Sequence, residues 1–320
     1  MNTYSILMPF VPQRPERMLP YAALTQWSAA GRLWQGQAPA NDPFQDFTHL
    51  AASGFRVPAG IGVTLMALRH PYQAAVQAHE LAVCTGHPVV AGFGPGSLPF
   101  QRSTLAAPYR SQLGAVREYV HVMRELLGKG EVDHVGEHFT CRSGLGQLPR
   151  PPVEIGLGVL RPAMARLAGE VADVAITWLT PAAYIRDTLV PALRAGAQSA
   201  GRAMPRIVAM VPLALAGPDR DPFELAMLGS SGHTQLAHYA DMLRRSGIQV
   251  SRDDPAGNAA ALVDGHAFLY GDAAGLTVQL EEFFQAGVDE IVLNVTGVHM
   301  RYGDRASLEE LDALMEMVTP

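Results

Sequence analysis

The stretch from Gly60 to Ser97 constrains the fold more than any other part of the sequence. Apolar residues alternate between Ile61 and Leu65, as they do in a buried strand, and His70-Pro71 then begins a helix. Alanine and leucine recur at helical spacing until Gly86, after which a second apolar strand at 88–91 runs into a glycine-rich loop. The pattern predicts a βαβ unit whose second strand ends in backbone that can approach a ligand closely.

Strand-like and helical segments alternate along the rest of the chain, which is typical of a parallel sheet. We predict strands at about 4–9, 32–35, 60–65, 88–94, 153–157, 173–177, 206–213 and 288–294. Strands of this number with helices between them form a (β/α)8 TIM barrel, whose active site lies at the carboxyl ends of the strands. We expect a single domain over residues 1–320, with an inserted hairpin at about 131–150 and a helical segment at about 219–264 that forms a lid or an oligomer contact.

Composition limits the compartment and the partners of the chain. With 320 residues and 48% hydrophobic content, the chain can bury one large core. The net charge of −6 and the lack of a basic stripe argue against nucleic acid or an anionic membrane as a partner. The sequence has no apolar run near the roughly 20 residues that cross a bilayer, and no basic leader precedes its first apolar run. Cys84 and Cys141 form neither a disulfide framework nor a CxxC motif, so we expect a reducing cytoplasm.

The order of several motifs resembles that of the bacterial-luciferase-like superfamily of flavin- and deazaflavin-dependent TIM-barrel enzymes. These motifs are the Gly60–Ser97 unit, GRLW at 31–34, the run VEIGLGVLRPAMARLAGEVADVAITW at 153–178 and the closing run at 270–293. A Gly-Val-Thr strand end followed by Arg-His-Pro looks most like the branch that uses coenzyme F420, a 5-deazaflavin. The resemblance covers nearly the whole chain except about 215–269. Since dimers are common in the superfamily, it also implies a homodimer.

The resemblance implies that the strand end Gly62, Val63 and Thr64 backs the ring of the cofactor. In the deazaflavin branch this strand end forms a bulge with a non-prolyl cis peptide, which here would join Gly62 to Val63. Such a bond costs about 3–4 kcal/mol and persists only where its surroundings impose it. From the residues alone, an ordinary buried strand followed by a turn stays open as the alternative.

Two loops are implied to complete the cofactor site. The loop along the ribityl chain and ring edge consists of Gly94, Pro95, Gly96 and Ser97. The phosphate loop consists of Gly158, Val159 and Leu160. It precedes a helix that can begin at Pro162, and the free N–H groups and dipole of a helix start favour a phosphate. Gln37 and Trp178, each at a predicted strand end, are further cofactor-binding candidates, and tight turns without a ligand would explain the glycines equally well.

Other motifs suggest chemistry that their context does not support. His134, Glu137 and His138 spell the HxxEH string that supplies zinc ligands from a helix in one metalloprotease class. Here a glycine stands at its centre in a polar, β-like context, so we predict a hairpin and no metal site. Arg142 would lower the pKa of the neighbouring Cys141 thiol, but no base is assigned nearby. We expect neither cysteine to be catalytic, and Cys84 to be a buried thiol.

The second strand end lacks an acid or a base. Several relatives place an acidic residue or a histidine there, whereas this chain has Gln35-Gly36-Gln37, which cannot exchange a proton near neutral pH. Oxidation of an alcohol needs such a base, so this strand end argues against it. His49 and His70 remain available, and no catalytic residue is assigned.

The resemblance therefore implies a reductase that uses reduced coenzyme F420 to deliver a hydride to an activated double bond. The segments GRLWQGQ, TLMALRHP and AGFGPG look similar to reductases encoded near ribosomally made peptides, some of which reduce dehydroalanine to D-alanine. The substrate is thus a modified peptide or a small molecule such as an enone or imine. The alternative functions are an FMN-dependent luciferase-type monooxygenase and a non-catalytic barrel that only binds a cofactor or a partner.

Overall fold

In the computed structural model, which describes residues 2–38 and 40–318, a barrel of parallel strands occupies the centre of the molecule. The strands are β1 (Thr3–Leu7), β2 (Leu33–Gln35), β3 (Ala59–Leu65), β4 (Val89–Gly94), β5 (Glu131–Val135), β6 (Thr140–Gly144), β7 (Val153–Gly158), β8 (Val174–Trp178), β9 (Arg206–Leu215), β10 (Leu269–Gly271) and β11 (Glu290–Asn294). The ring runs β1-β2-β3-β4-β7-β8-β9-β11 and closes where β11 pairs with β1. Every pair in the ring is parallel, so all carboxyl ends lie at the same end of the barrel.

Helices connect the strands and cover the outside of the ring. They are α1 (Leu19–Trp27), α2 (Pro43–Ala52), α3 (Pro71–Thr85), α4 (Leu98–Thr104), α5 (Gln112–Gly128), α6 (Pro162–Val171), α7 (Ala182–Tyr184), α8 (Val190–Ser199), α9 (Pro222–Thr234), α10 (Ala237–Arg245), α11 (Pro255–Asp264), α12 (Ala273–Gln285) and α13 (Thr296–Val318). A π-helical turn, Ile185–Leu189, joins α7 to α8, and Gly303 kinks α13 with a φ of 84°. In the described part of the chain, no helix is both long and apolar enough to cross a membrane.

The predicted (β/α)8 TIM barrel is confirmed, since each of the eight predicted strands overlaps one strand of the ring. The hairpin is β5 paired with β6, and the helical segment before the last part of the barrel consists of α9, α10 and α11. The sequence analysis did not predict β10, which pairs with the far end of β9 outside the ring. Its three residues are too few to show a period of two.

A tryptophan fills the middle of the barrel because a glycine makes room for it. The Trp34 side chain is fully buried in the inner core together with Val90, Val208 and Val292. A Cβ at Gly60 on the neighbouring strand would lie 2.2 Å from the Trp34 ring, so only glycine fits there. The Trp34 Nε1–H donates to Glu290 Oε1 at 2.7 Å, which satisfies the one polar atom of the ring.

The buried carboxylate of Glu290 joins several strands at the amino end of the barrel. Its side chain is 1% exposed and accepts hydrogen bonds from Ser5 Oγ and Trp34 Nε1, each at 2.7 Å. Arg32 and Arg206 form ion pairs with it at 3.1 and 3.4 Å, and Arg206 also pairs with Glu154. Burial alone would lower the pKa of Arg206, but the carboxylates outweigh it and raise this pKa above its ordinary value. A buried charge is tolerated here because it is paired on several sides.

The HxxEH string forms the turn of the predicted hairpin, held by a carboxylate of α5. Glu118 accepts hydrogen bonds from the backbone N–H groups of Glu137, His138 and Phe139 at 3.1, 2.9 and 3.0 Å. Burial opposes ionisation of Glu118, but these N–H donors lower its pKa below the ordinary value. A Cβ at Gly136 would lie 2.2 Å from Glu118 Oε2, which explains the glycine at the centre of the string.

The predicted effect of Arg142 on Cys141 is wrong. The Arg142 guanidinium lies 2.9 Å from Asp133 Oδ1, on the outer face of the hairpin. Cys141 is buried, and burial raises the pKa of its thiol. Neighbours along a strand point to opposite faces, so adjacency in sequence did not bring the two groups together. Cys84, predicted to be buried, is only half-buried.

Two glycines bring α6 and α8 into close contact. A Cβ at Gly169 would lie 2.1 Å from the Leu193 carbonyl oxygen, and one at Gly196 would lie 1.9 Å from the Arg166 carbonyl oxygen. In both cases the obstacle is backbone, which cannot rotate away as a side chain can. The two helices therefore pack at a distance that only glycine allows.

Candidate cofactor-binding site

The end of β3 carries a bulge, as the resemblance implied. The register of β3 against β4 shifts between Ile61 and Thr64, so the strand gains a residue there relative to its neighbour. The implied cis peptide between Gly62 and Val63 is wrong, because all peptide bonds of the described residues are trans.

The Val63 side chain lies across the barrel opening on two glycines. A Cβ at Gly94 would lie 2.9 Å from Val63 Cγ1, and a Cβ at Gly158 would lie 3.0 Å from Val63 Cγ2. Val63 on β3 therefore reaches over β4 and β7, into space that their missing side chains leave free. The result is an apolar surface, half-exposed at Val63, at the carboxyl end of the barrel.

Gln37 and Thr64 hold this bulge in place through their polar groups. The Gln37 N–H donates to the Val63 carbonyl oxygen at 3.2 Å, and Gln37 Oε1 accepts from the Leu65 N–H at 3.1 Å. Thr64 is fully buried, and its hydroxyl donates to the Gly92 carbonyl oxygen at 3.1 Å. Both candidate residues thus position Val63. A direct contact of either side chain with a cofactor stays a prediction.

The loop after β4 is held from below by a buried glutamine. Gln101 Nε2 donates to the carbonyl oxygens of Pro95 and Gly96 at 3.0 and 2.9 Å. Gly96 has a φ of 77°, a conformation that favours glycine. Ser97 caps α4, where its Oγ accepts from the Phe100 N–H at 3.4 Å. The sequence analysis did not find Gln101, since a glutamine inside a short helix gives no signal of its loop contacts.

The loop after β7 leads into a helix start that lacks a capping side chain. Helix α6 begins at Pro162, and Arg161 before it makes no capping hydrogen bond. The Val159 N–H donates to the Ile176 carbonyl oxygen at 2.7 Å, so this amide is not free for a ligand. The Leu160 carbonyl oxygen accepts from the Tyr184 hydroxyl at 3.3 Å, which fixes the loop. The helix start itself remains the place where a phosphate fits.

Helices α9 and α10, here called the lid, lie over the carboxyl ends of β8 and β11. His233 of the lid stacks on Trp178, with ring centroids 5.1 Å apart and planes at 25°. Tyr239 contacts His233 edge-on at 4.9 Å. A Cβ at Gly229 would lie 3.0 Å from the backbone nitrogen of Gly297, just after β11. The lid therefore covers the side of the opening that β8, β9 and β11 form.

His233 was missed by the sequence analysis, and its surroundings keep it uncharged. Burial, and to a smaller extent the nearby His238, lowers the pKa of His233 to about 4. Since His233 lies in the stretch that resembles the superfamily least, neither motif nor spacing pointed to it. The imidazole that faces Trp178 is thus neutral over the physiological range.

Acid should therefore destabilise the protein through His233. The unfolded chain binds a proton near pH 6.5 and the folded chain only near pH 4, so this contribution to stability is complete above pH 6.5 and is lost as the pH falls towards 4. His233→Phe keeps a ring on Trp178 but cannot be protonated. We expect the free energy of unfolding, measured in urea, to fall as the pH is lowered through this window. For His233→Phe this fall should be smaller than for the unchanged protein, by up to about 3 kcal/mol. Parallel pH profiles would contradict this expectation.

The second strand end contributes its glutamines to the scaffold. Gln35 shares the outer face of β2 with Leu33, and its Nε2 donates to the buried Asp46 Oδ2 at 2.7 Å. His70, left available by the sequence analysis, caps α3, where its Nδ1 accepts from the Tyr72 N–H at 3.2 Å. His49 lies 3.4 Å from the Ser53 hydroxyl at the end of α2. None of these groups is placed at the Val63 surface by its contacts.

The residues present fit a flat cofactor that carries a phosphate. Val63 on its glycine pair offers an apolar surface of the kind that a ring system covers. Helix α6 starts shortly after β7, the strand that ends in Gly158. Its first turn has no capping side chain, so it offers N–H groups to an anion. Fold and site together have the architecture of a cofactor-dependent (β/α)8-barrel protein.

Comparison with known proteins identifies the family. The profile described as luciferase-like monooxygenase matches residues 4–290, so the chain belongs to the luciferase-like family. An F420-dependent glucose-6-phosphate dehydrogenase of Nakamurella multipartita is 35% identical over 173 residues, 52% of this chain and 50% of the relative. The chain thus aligns with about half the length of this relative. A 5,10-methylenetetrahydromethanopterin reductase of Methanopyrus kandleri is 25% identical over 74% of this chain and 76% of its own.

Solved structures with the same fold are similar to the chain at low identity. A coenzyme F420 dependent tetrahydromethanopterin reductase from Methanopyrus kandleri superposes with a TM-score of 0.72 at 18% identity, over 91% of this chain and 92% of the other. The oxygenating constituent of 3,6-diketocamphane monooxygenase from Pseudomonas putida, in complex with FMN, gives 0.73 at 14% identity, over 100% and 99%. The fold is therefore shared by proteins with either cofactor, and these superpositions do not decide between F420 and FMN.

Proposed function

We propose that this protein is an oxidoreductase that uses reduced coenzyme F420 to reduce an activated double bond. The observation that carries the proposal is the Val63 side chain on the glycine pair Gly94 and Gly158, which offers one face of a ring system an apolar support. The sequence relatives support F420 in particular, since the similar protein of Nakamurella multipartita is an F420-dependent dehydrogenase. When bound, the reduced deazaflavin supplies a hydride.

The protein's part in this reaction is to position and to shield. Val63 holds the ring from one side, and the loop ending in Ser97, fixed by Gln101, lies beside it. The start of α6, whose first N–H groups lack a capping side chain, would bind the phosphate of the cofactor. The lid excludes water above Trp178, where His233 stacks on the indole. Orientation of this kind accounts for much of the rate of a hydride transfer.

The residues at the end of β2 favour reduction of a double bond over oxidation of an alcohol. Gln35 donates to Asp46 on the outer face, and Gln37 holds the bulge, so the side chains of this strand end are already engaged. An alcohol substrate needs a base for its hydroxyl proton. A double bond needs no such base, because its reduction takes up a proton and releases none.

We propose a modified peptide containing dehydroalanine as the substrate, with D-alanine as the product. This rests on the resemblance of GRLWQGQ, TLMALRHP and AGFGPG to peptide-tailoring reductases, and it places the protein in natural product biosynthesis. We also propose a homodimer, from the resemblance to the luciferase-like superfamily, and a cytoplasmic location, because Cys84 and Cys141 form no disulfide framework. A small enone or imine is the alternative substrate.

Equilibrium binding of oxidised F420 and of FMN to the purified protein tests the cofactor. We expect F420 to bind at least tenfold more tightly, followed by reduction of an enone under anaerobic conditions. Deuterium at the transferring carbon of the reduced cofactor should appear in the product stereospecifically. Preference for FMN with oxygen-dependent turnover would instead support the luciferase-type monooxygenase, and binding without any turnover would support a non-catalytic barrel.

A further inference from the structure

Polar atoms at the carboxyl end of the barrel lie buried without a hydrogen-bond partner. Among the described residues, these include Trp178 Nε1, Ser230 Oγ and Asn294 Nδ2. Ser230 and Asn294 are each only 1% exposed. Buried polar groups are nearly always paired, and those that are not commonly mark a ligand or a water site. Binding of the cofactor at Val63 and at the start of α6 does not account for these atoms.

Asn294 presents its amide to the barrel interior. It follows Glu290 and Val292 on the inward face of β11, and it stands opposite Pro212 of β9. Its Oδ1 accepts from the Thr296 backbone N–H at 3.0 Å and from the Thr296 hydroxyl at 2.6 Å. The side chain is therefore fixed with its NH₂ group turned away from these contacts. This donor has no acceptor among the described residues.

Ser230 lies on the face of α9 that closes the barrel. Gly229 before it approaches the backbone of Gly297, and His233 one turn later stacks on Trp178. Residues three and four positions apart share a helix face, so Ser230 and His233 lie on the same side of α9. Because β8 and β11 both flank β9 in the ring, the hydroxyl, the indole N–H and the Asn294 amide belong to the same part of the barrel end.

We propose that Trp178 Nε1, Ser230 Oγ and Asn294 Nδ2 bind the carbonyl oxygen of the substrate. This inference rests on the proposed function and narrows its substrate to an α,β-unsaturated carbonyl compound, a class that includes a dehydroalanine amide. The hydride adds to the β-carbon and the π electrons move to the carbonyl oxygen, which gives an enolate. A proton from water then adds to the α-carbon when the lid opens and solvent returns to the site. Fixed donors at the oxygen stabilise the charge that develops there.

The lid controls access to these donors. With α9 in place, water does not reach the three atoms, so a substrate enters only when the lid moves away and is covered when it returns. Unpaired buried donors make the closed lid less stable without a ligand than with one. Binding of an oxyanion therefore favours closure.

The colour change of 4-nitrophenol on ionisation makes it a probe for such an oxyanion site. We expect the purified protein to bind 4-nitrophenolate in preference to neutral 4-nitrophenol. Ser230→Ala should weaken this binding about tenfold, and Asn294→Asp about a hundredfold, since hydrogen bonds to a charged group contribute factors of this size. Asn294→Asp keeps the oxygen that accepts from Thr296 while it replaces the donor, and adds a repelling carboxylate.

Thr177→Val is the matched control. Thr177 carries another buried hydroxyl without a partner in the described structure, but it faces the helices, because Ile176 and Trp178 beside it point inward. Its replacement should leave binding of the probe within about twofold of the unchanged protein. Ser230→Ala should not lower the thermal midpoint, because the Ser230 hydroxyl has no hydrogen-bond partner among the described residues.

The outcomes separate this inference from the proposed function. The inference is overturned if the protein does not bind the probe. It is also overturned if Ser230→Ala and Asn294→Asp leave binding of the probe unchanged. Both results count even if F420 binds and is turned over. A lowered thermal midpoint for Ser230→Ala with unchanged binding of the probe shows a buried water at this place, and overturns it too. Failure to bind F420 contradicts the proposed function, whereas the probe still reports on the donors.

Discussion

Gly196→Ala is expected to lower the free energy of unfolding by about 3 kcal/mol or more. The added Cβ would lie 1.9 Å from the Arg166 carbonyl oxygen, so α8 must move away from α6. Because Gly169 faces the same interface, this shift also opens the contact between Gly169 and Leu193. Urea unfolding followed by circular dichroism measures the loss.

Gly128→Ala is the control for the substitution itself. Gly128 is the last residue of α5, with open space where the Cβ would go. Alanine is the better helix former, so this variant should be as stable as the unchanged protein or up to about 1 kcal/mol more stable. Equal losses in the two variants would show that the close approach of α6 and α8 is not what Gly196 provides.

Gly158→Asp is expected to weaken binding of F420 by more than about a hundredfold. The carboxylate would extend past Val63 into the space assigned to the cofactor, and would repel a phosphate at the start of α6. Removing room and adding like charge act in the same direction here. Fluorescence titration of the purified variant with F420 gives the affinity.

Steric and electrostatic effects are separated by two further variants. Gly158→Ala places a Cβ 3.0 Å from Val63 Cγ2 without a charge, so it should weaken binding by no more than about tenfold. Combining Gly158→Ala with Val63→Ala removes the crowded atom, and because Val63 also supports the ring, the affinity of this double variant is compared with that of Val63→Ala as the reference. If Gly158→Ala binds F420 as weakly as Gly158→Asp does, the added charge has no effect and the phosphate does not lie at this loop.

The barrel was predictable because its strands are short, apolar and evenly spaced. Ile61 to Leu65 alternate and 88–91 are apolar throughout, and the structure places both segments in the ring. A strand with three residues, Leu269–Gly271, offers no such period and was missed. The glycines Gly94 and Gly158 were noted in sequence, but only the structure shows that Val63 of a third strand fills the space over them.

The residues under the lid could not be predicted for a different reason. Trp178 and His233 are far apart in sequence, and their stacking depends on how α9 crosses the barrel end. Ser230 and Asn294 have ordinary neighbours in sequence, and what distinguishes them is the lack of a partner, which is a property of the folded chain. The cis peptide was carried over from the resemblance. The described residues contain no cis bond, although β3 carries the bulge that the resemblance implied.

The buried Glu290 carboxylate has a consequence for how the chain folds. It joins Ser5 and Trp34, which are 285 and 256 positions away along the chain. Contacts between such distant segments form late, because the intervening loop must first be closed at a cost in entropy. Until then β1 is an open sheet edge that can pair with a strand of another molecule. The time needed to dock the final barrel strand therefore sets how long each newly made molecule is exposed to aggregation.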